Sequence, residues 1–320
     1  MAVLVVTSGN HTVALVGARG YSGQVLHALL MHHPCISPVV VEAREPSDAA
    51  TEALRGCAAV VLALPEEASR AWASALQGRG LRVLDLSGAY RRDPAAHYGI
   101  PELHGAPPAD VRLVANPGCY PTATLMAVLP CVRADLVERE GIAVLGQSGT
   151  SGAGKGLRDD LHFSELFANT FVYNVGRHRH TPEIEHHLGA PVSFVSSLLP
   201  IVRGLIVTAF VRPKVSAEQL LEALKSAYAD HRHVSVLDEP GQGLGVRHVV
   251  GTHQAVLAVG PQTRSGVVPL FASIDNLMRG AASQALHNLN LWLGLEPTLG
   301  LPPPMATVPD GVPGMTRMLP

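Results

Sequence analysis

Two short segments carry side chains able to do covalent and proton-transfer chemistry. They are Asn116-Pro117-Gly118-Cys119-Tyr120-Pro121-Thr122 and Arg177-His178-Arg179-His180-Thr181-Pro182-Glu183. Cys119 follows an apolar run and precedes a helical pattern over 122–132, so its thiol falls near a helix N-terminus. There the dipole and free N–H groups lower a thiol pKa and favour thiolate, the nucleophilic form. A cysteine is also a small buried hydrophobe, and that reading is taken for Cys35, Cys57 and Cys131. For Cys119 both readings stand. The imidazoles of the second segment offer proton transfer near neutral pH, and Thr181 would cap a helix beginning at Pro182. An exposed basic loop is the bland alternative. His178, His180 and Glu183 also count as three zinc-type ligands, but HExxH is absent and no cysteine is near in sequence, so no metal is expected.

A third segment, Gly17-Ala18-Arg19-Gly20-Tyr21-Ser22-Gly23, sits between a strand pattern and a helix pattern. Its GxxGxxG spacing is a variant of the dinucleotide motif, in which glycines let the backbone approach a pyrophosphate at a helix N-terminus. A tight turn without ligand is the alternative. The second strand ends Glu42-Ala43-Arg44. An acid there suits a ribose hydroxyl and an arginine a 2′-phosphate, so Arg44 tilts the expectation to NADP, with NAD open. Gly149 to Lys155 matches GxxxxGK, but Gly156 follows where a Mg²⁺-binding hydroxyl is needed. Triphosphate binding is therefore not expected, although such a loop can hold a small anion. Arg91 and Arg92 follow Asp85-Leu86-Ser87-Gly88-Ala89-Tyr90 and offer bidentate phosphate contacts, or else a surface turn.

The elements that position these residues differ between halves. Short apolar runs at 12–16, 38–42, 58–64, 81–86 and 111–115 alternate with helical patterns at 22–33 and 66–77. Continuous apolar strands joined by helices predict a parallel sheet covered on both faces. Beyond it, strands are predicted at 141–147, 191–200, 204–212, 247–251, 254–259 and 266–273, with helices at 217–230 and 275–293. Many strands and few helices predict an α+β unit with a mixed or antiparallel sheet. The proline-rich tail from Glu296 reads as extended or loose.

Composition bounds the function classes. At roughly 150 residues per domain, 320 residues suggest two domains. A formal charge of −2 without basic runs argues against nucleic acid or an anionic membrane as partner. Four cysteines without a CxxC pair exclude a zinc ribbon or thioredoxin motif and suit a reducing compartment. The start, MAVLVVTSGNHT, lacks the basic region of a signal peptide, and no apolar run is long enough to span a bilayer. A cytoplasmic protein is expected.

GARGYSG, DLSGAYR, GIPEL, VANPGCYPT, SGTSGAGKG, GRHRHTPEIEHHL and IDNLMRGAASQALHNLNL occur in that order. Together, over about 12–294, they resemble the N-acetyl-γ-glutamyl-phosphate reductases of the semialdehyde dehydrogenase superfamily. The resemblance implies a Rossmann domain, 1–118 completed by 275–320, and an α+β catalytic and dimerisation domain, 119–274. It implies an NADP-dependent, phosphorylating reduction of an acyl-phosphate substrate in arginine biosynthesis, by a homo-oligomer. Cys119 takes the nucleophile's place and His178 the acid/base place, supported by His180 and Glu183. Arg91, Ser148 and Ser151 fall near the substrate phosphate. Gly17, Arg19, Gly20, Tyr21, Ser22, Gly23, Arg44 and Asn276 fall to the cofactor. Alternatives are the lysine-pathway aminoadipyl-phosphate reductase, with a carrier-protein partner, aspartate-semialdehyde dehydrogenase, and a non-catalytic dinucleotide sensor. The segment 44–58 lacks the family's usual Ser-Arg and Ala-Gly features, and Ala89 stands where the family has Asp.

Overall fold

The structure, a computed structural model, describes residues 11–304. The N-terminal run read above lies outside the described residues except for His11 and Thr12, and so does the end of the proline-rich tail. Six strands form the first sheet: β1 (His11–Val16), β2 (Ile36–Val41), β3 (Ala59–Leu62), β4 (Val83–Asp85), β5 (His97–Tyr98) and β6 (Leu113–Ala115). Their order is β2-β1-β3-β4-β6-β5, all parallel. Helices α1 (Tyr21–Met31), α2 (Asp48–Glu52), α3 (Glu66–Gln77) and α4 (Pro101–His104) belong to this half. Along β1, Val13 and Leu15 pack with Leu26 and Leu30 of α1, while Ala14 and Val16 pack with Trp72 and Leu76 of α3. Both faces are buried, which is why these strands read as apolar runs without alternation.

The second sheet holds β7 (Ile142–Gly149), β8 (Phe171–Tyr173), β9 (Val192–Leu199), β10 (Leu205–Val211), β11 (Val234–Leu237), β12 (Ala255–Val259) and β13 (Val268–Ile274). The order is β11-β12-β13-β10-β7-β9-β8, mixed in direction. Helices α5 (Cys119–Arg133), α7 (Thr181–Leu188) and α8 (Ala217–Ala227) cover one face, sharing a core with Val144, Val207, Leu257 and Leu270. On the other face β7 and β10 alternate, leaving Leu145, Ile206 and Thr208 half-buried and Phe210 exposed. Short α6 (Phe163–Leu166) lies in the connection to β8, and α9 (Ser283–Trp292) is the last helix among the described residues. Leu286 and Leu289 of α9 return to the first sheet beside α1.

Several expectations are corrected. The predicted strand 247–251 is a 3₁₀ turn, Val246–His248. Gly251, at φ 78°, turns the chain and gives its N–H to Asp275 Oδ2 at 2.7 Å, and the edge beside β12 is taken by β11, which sequence patterning missed. The helix predicted over 275–293 is interrupted: Met278–Ala282 is a π turn before α9. Helix α5 begins at Cys119, three residues before the predicted start. Pro121 is no obstacle there, because the first four helical N–H groups have no partner within the helix. Thr181 is the first residue of α7, not its cap. The tail over 296–304 is packed: Asn290 Nδ2 donates to Pro297 O and Leu299 O at 3.1 and 2.8 Å, and Leu301 joins the core beside α9. Among the described residues no helix is long and apolar enough to cross a membrane.

Candidate active site

Two cavities lie along the C-terminal ends of the parallel strands. One, about 310 Å³, is lined by Gly17, Ala18, Arg19, Glu42, Arg44 and Leu64. The other, about 320 Å³, runs from Gly20, Tyr21, Ser22 and Gly23 past Leu64 to Cys119 and Asn276. Leu64 lines both, so they adjoin. The glycine loop is built for close backbone approach. Gly17 has φ 91°, and a Cβ there would strike the Ala63 carbonyl oxygen. A Cβ on Gly23 would strike the carbonyl of Gly17, whereas Gly20 faces open space. These are the features a pyrophosphate cradle at the start of α1 requires, so the residues present fit a dinucleotide. Arg19 pairs with Glu42 on the surface, and Arg44 is exposed beside them.

Cys119 is the first residue of α5, with Gly118 as N-cap. Glu183 fixes that cap: its Oε1 accepts from the Gly118 N–H at 2.9 Å and from the Tyr98 hydroxyl at 2.8 Å. Its Oε2 pairs with Arg91 Nη1 at 3.1 Å, both side chains buried. Arg91, expected on the substrate phosphate, is already engaged. Its Nε donates to Asn116 O at 2.9 Å and its Nη2 to Leu86 O at 2.7 Å. It lines the cavity as a clamp across three segments, while Arg92 is exposed and outside it.

The two histidines divide by their hydrogen bonds. His178 Nδ1 accepts the backbone N–H of His180 at 3.1 Å, which leaves the ring proton on Nε2. Its ring lies edge-on to Tyr120, Tyr173 and Phe194. Burial, and then Arg179, push its pKa down to about 4, so it is neutral. His180 faces the Arg91 guanidinium through Nε2 at 3.5 Å, its Nδ1 lacks a partner, and burial with Arg91 holds its pKa well below 6.5. It lines the cavity and packs against Gly118, where a Cβ would lie 2.5 Å from its Nε2. The Cys119 thiol departs from expectation. Burial pushes its pKa up, outweighing Arg179, the Tyr120 N–H and Arg91, which pull it down. The helix end alone does not make a thiolate.

Neutral burial is general here. His104, His178, His233 and His287 are each pushed down to about 4, mainly by burial. In the unfolded chain such rings take up a proton near 6.5. Between roughly 6.5 and 4 the unfolded state therefore binds more protons, and stability falls as pH is lowered. This contribution is fully present above the unfolded value and is lost toward the folded one. The melting temperature is expected to fall across that window; a flat profile would mean these rings are not held neutral.

Asn276 Nδ2 donates to Ser151 Oγ at 2.9 Å, and its Oδ1 accepts the Gly204 N–H at 2.8 Å. Both residues line the Cys119 cavity, while Ser148 is buried behind with its hydroxyl on Gly149 O. Thus Gly20 to Gly23, Arg91, Cys119, Ser151, His180 and Asn276 meet in one cavity, and His178, Glu183 and Ser148 do not line it. Sequence reasoning missed four contributors. Lys155, at the end of the GxxxxGK match, lines the cavity and reaches the Arg19 carbonyl at 3.4 Å. Arg179 lines it between the two histidines. Gly118 leaves room for His180, and Gly280, in the π turn, lies so close that a Cβ would come 2.6 Å from Cys119 Cβ. Asn116 holds that turn by donating to Ala281 O at 3.1 Å. The sequence signals were present only as glycines and charges inside segments already singled out.

Among the described residues one group has metal-type ligands close together, Glu102, His253 and His287. Arg279 sits among them, 2.6 Å from Glu102 Oε1 and 2.5 Å from His253 Nε2. A guanidinium already supplies the cation there.

Family models match two stretches. "Semialdehyde dehydrogenase, NAD binding domain" covers 45–110, and "Semialdehyde dehydrogenase, dimerisation domain" covers 119–276. The chain is 35% identical over 336 residues to the N-acetyl-gamma-glutamyl-phosphate reductase of Geobacillus thermodenitrificans, and 37% identical over 337 to that of Symbiobacterium thermophilum. Each alignment covers 90% of this chain and 97% of the relative. Among solved structures it is similar to aspartate semialdehyde dehydrogenase II of Vibrio cholerae, with TM-score 0.70, 18% identity and coverage of 90% and 99%. The Candida albicans aspartate semialdehyde dehydrogenase with NADP gives 0.62, 15% identity and coverage of 88% and 98%. These last two bear on the fold alone.

Proposed function

The chain belongs to the N-acetyl-γ-glutamyl-phosphate reductases of the semialdehyde dehydrogenase family, and from that premise we propose that it reduces N-acetyl-γ-glutamyl phosphate to the 5-semialdehyde, releasing phosphate, in arginine biosynthesis. The single observation that carries this reading is the cavity that joins the glycine loop to Cys119. Gly17 to Gly23 would hold the pyrophosphate of NADPH and Arg44 its 2′-phosphate, where Arg19 already offsets Glu42. When bound, the nicotinamide supplies hydride.

Cys119 sulfur attacks the acyl carbon, the C–O bond to phosphate breaks, and a thioester forms, which divides one hard step into two. The partly exposed thiol faces the cavity with Arg179 and Arg91 to favour its anion, and the departing phosphate carries the proton away. After reduction the former carbonyl oxygen carries negative charge, and a donor must meet it. His178 is neutral with its proton on Nε2 and adjoins the cavity-lining Arg179, so it is assigned the hydrogen bond to that oxygen, without proton transfer. Collapse restores the thiolate and frees the semialdehyde. His180 and Glu183 are positioning residues: they hold Arg91 and the Gly118 cap. Ser151 accepts from Asn276, which leaves its own O–H free to donate to substrate.

His178→Ala is expected to lower kcat by about 10²–10³, the scale of losing one oxyanion donor. A loss under tenfold would move that role elsewhere. The assay that tests the function is the reverse reaction, phosphate-dependent reduction of NADP and of NAD with N-acetylglutamate, N-acetylaminoadipate and aspartate semialdehydes. Preference for the first with NADP is expected. Preference for another semialdehyde overturns the substrate assignment.

The half-open face of β7, β9 and β10 fits a homo-oligomer built by pairing this face between copies, as does the family's dimerisation domain. On the same reading the chain divides functionally at 118/119 and again at 274/275, and its place is the cytoplasm.

A further inference from the structure

The substrate brings a doubly charged phosphoryl group beside the reacting carbon, and a desolvated anion of that kind needs a cation. Three cationic side chains line the Cys119 cavity: Arg91, Lys155 and Arg179. Arg91 is neutralised by Glu183 and donates to two carbonyls besides. Lys155 stands at the glycine loop, on the Arg19 carbonyl. Arg179 differs from Arg91 in having no counter-charge, and from Lys155 in standing beside His180 and Gly118 rather than at the glycine loop. Its side chain is exposed into the cavity, and among the described residues no carboxylate lies within ion-pair reach of it. Its sequence neighbours His178 and His180 are both neutral, so neither competes for an anion nor adds charge. Glu66, the one carboxylate lining this cavity, lies against Gly88.

We propose that Arg179, not Arg91, binds the phosphoryl group of the acyl phosphate, and inorganic phosphate in the reverse reaction; this rests on the reductase reading above. Its guanidinium lines the same cavity as the Cys119 sulfur that the acyl phosphate must reach. The carboxylate of the substrate is the other anion that would meet a cation here, and the kinetics separate the two. A planar fork suits two phosphate oxygens at once, so lysine keeps the charge but loses the paired geometry.

The test is the reverse reaction of full-length Arg179→Gln and Arg179→Lys, with inorganic phosphate and the semialdehyde varied separately. Arg179→Gln is expected to raise KM for phosphate at least tenfold, on the scale of a charge-assisted hydrogen bond, with KM for the semialdehyde within about threefold of wild type. Arg179→Lys should recover part of the loss. A rise confined to the semialdehyde KM overturns the proposal in favour of the carboxylate, and unchanged KM values for both overturn it outright. Failure of wild type to reduce NADP with phosphate would instead sink the reductase reading, which is a separate result.

Discussion

Cys119→Ser is expected to lower turnover by on the order of 10⁴-fold or more, the scale of removing a nucleophile from a covalent mechanism. The hydroxyl is a far poorer nucleophile and has no route to a thioester. Cofactor affinity should hold within about twofold, because the glycine loop and Arg44 lie on elements of the first sheet and Cys119 on α5. The melting temperature should hardly move, since serine fits the partly exposed first helical position. Stopped turnover with intact NADPH fluorescence quenching is the expected pair of results. A serine variant retaining more than about a tenth of the rate excludes thioester chemistry at this position.

Glu183→Ala has the largest expected effect on stability. Glu183 and Arg91 are both buried, and Glu183 also accepts from Gly118 and Tyr98. Removing the carboxylate leaves a buried guanidinium without its counter-charge, a change of about 3–5 kcal/mol. For a chain of this size that lowers the melting temperature by about 10 °C. Activity falls as well, because the Gly118 cap that starts α5 is released. Glu183→Gln keeps an acceptor for Gly118 but not the charge, so it should fall between wild type and alanine. A melting temperature for Glu183→Ala within a degree or two of wild type would show that the pair is not what holds this corner.

The doubly covered sheet was legible because burial on both faces makes its strands apolar throughout, as in Val60 and Val61 of β3. The glycine loop was legible because backbone approach leaves no substitute for Gly17 and Gly23. Cys119 was legible as a helix-end thiol, but not its raised pKa, which depends on what is packed over it. The commitment of Arg91 was hidden for the same reason: Glu183 stands 92 residues away, and its other partners are carbonyls, which leave no mark in a sequence. Strand β5, two residues long, has no periodicity to read. The π turn is held by Asp275, which accepts from Leu277 two residues on and from remote Gly251, and by Arg279 on remote Glu102, and the remote partners leave no local mark.

Gly280 brings a consequence for how the protein comes into being. The backbone that walls one side of the reactive sulfur is tethered through Asn116 and Ala281, 165 residues apart. During synthesis the cysteine therefore leaves the ribosome long before its wall does, and closing so long a loop is a slow event in folding. The sequence holds the glycine turn and the sulfur-bearing helix in its first 133 residues, yet the reactive centre is complete only once the turn at 278–282 has been made.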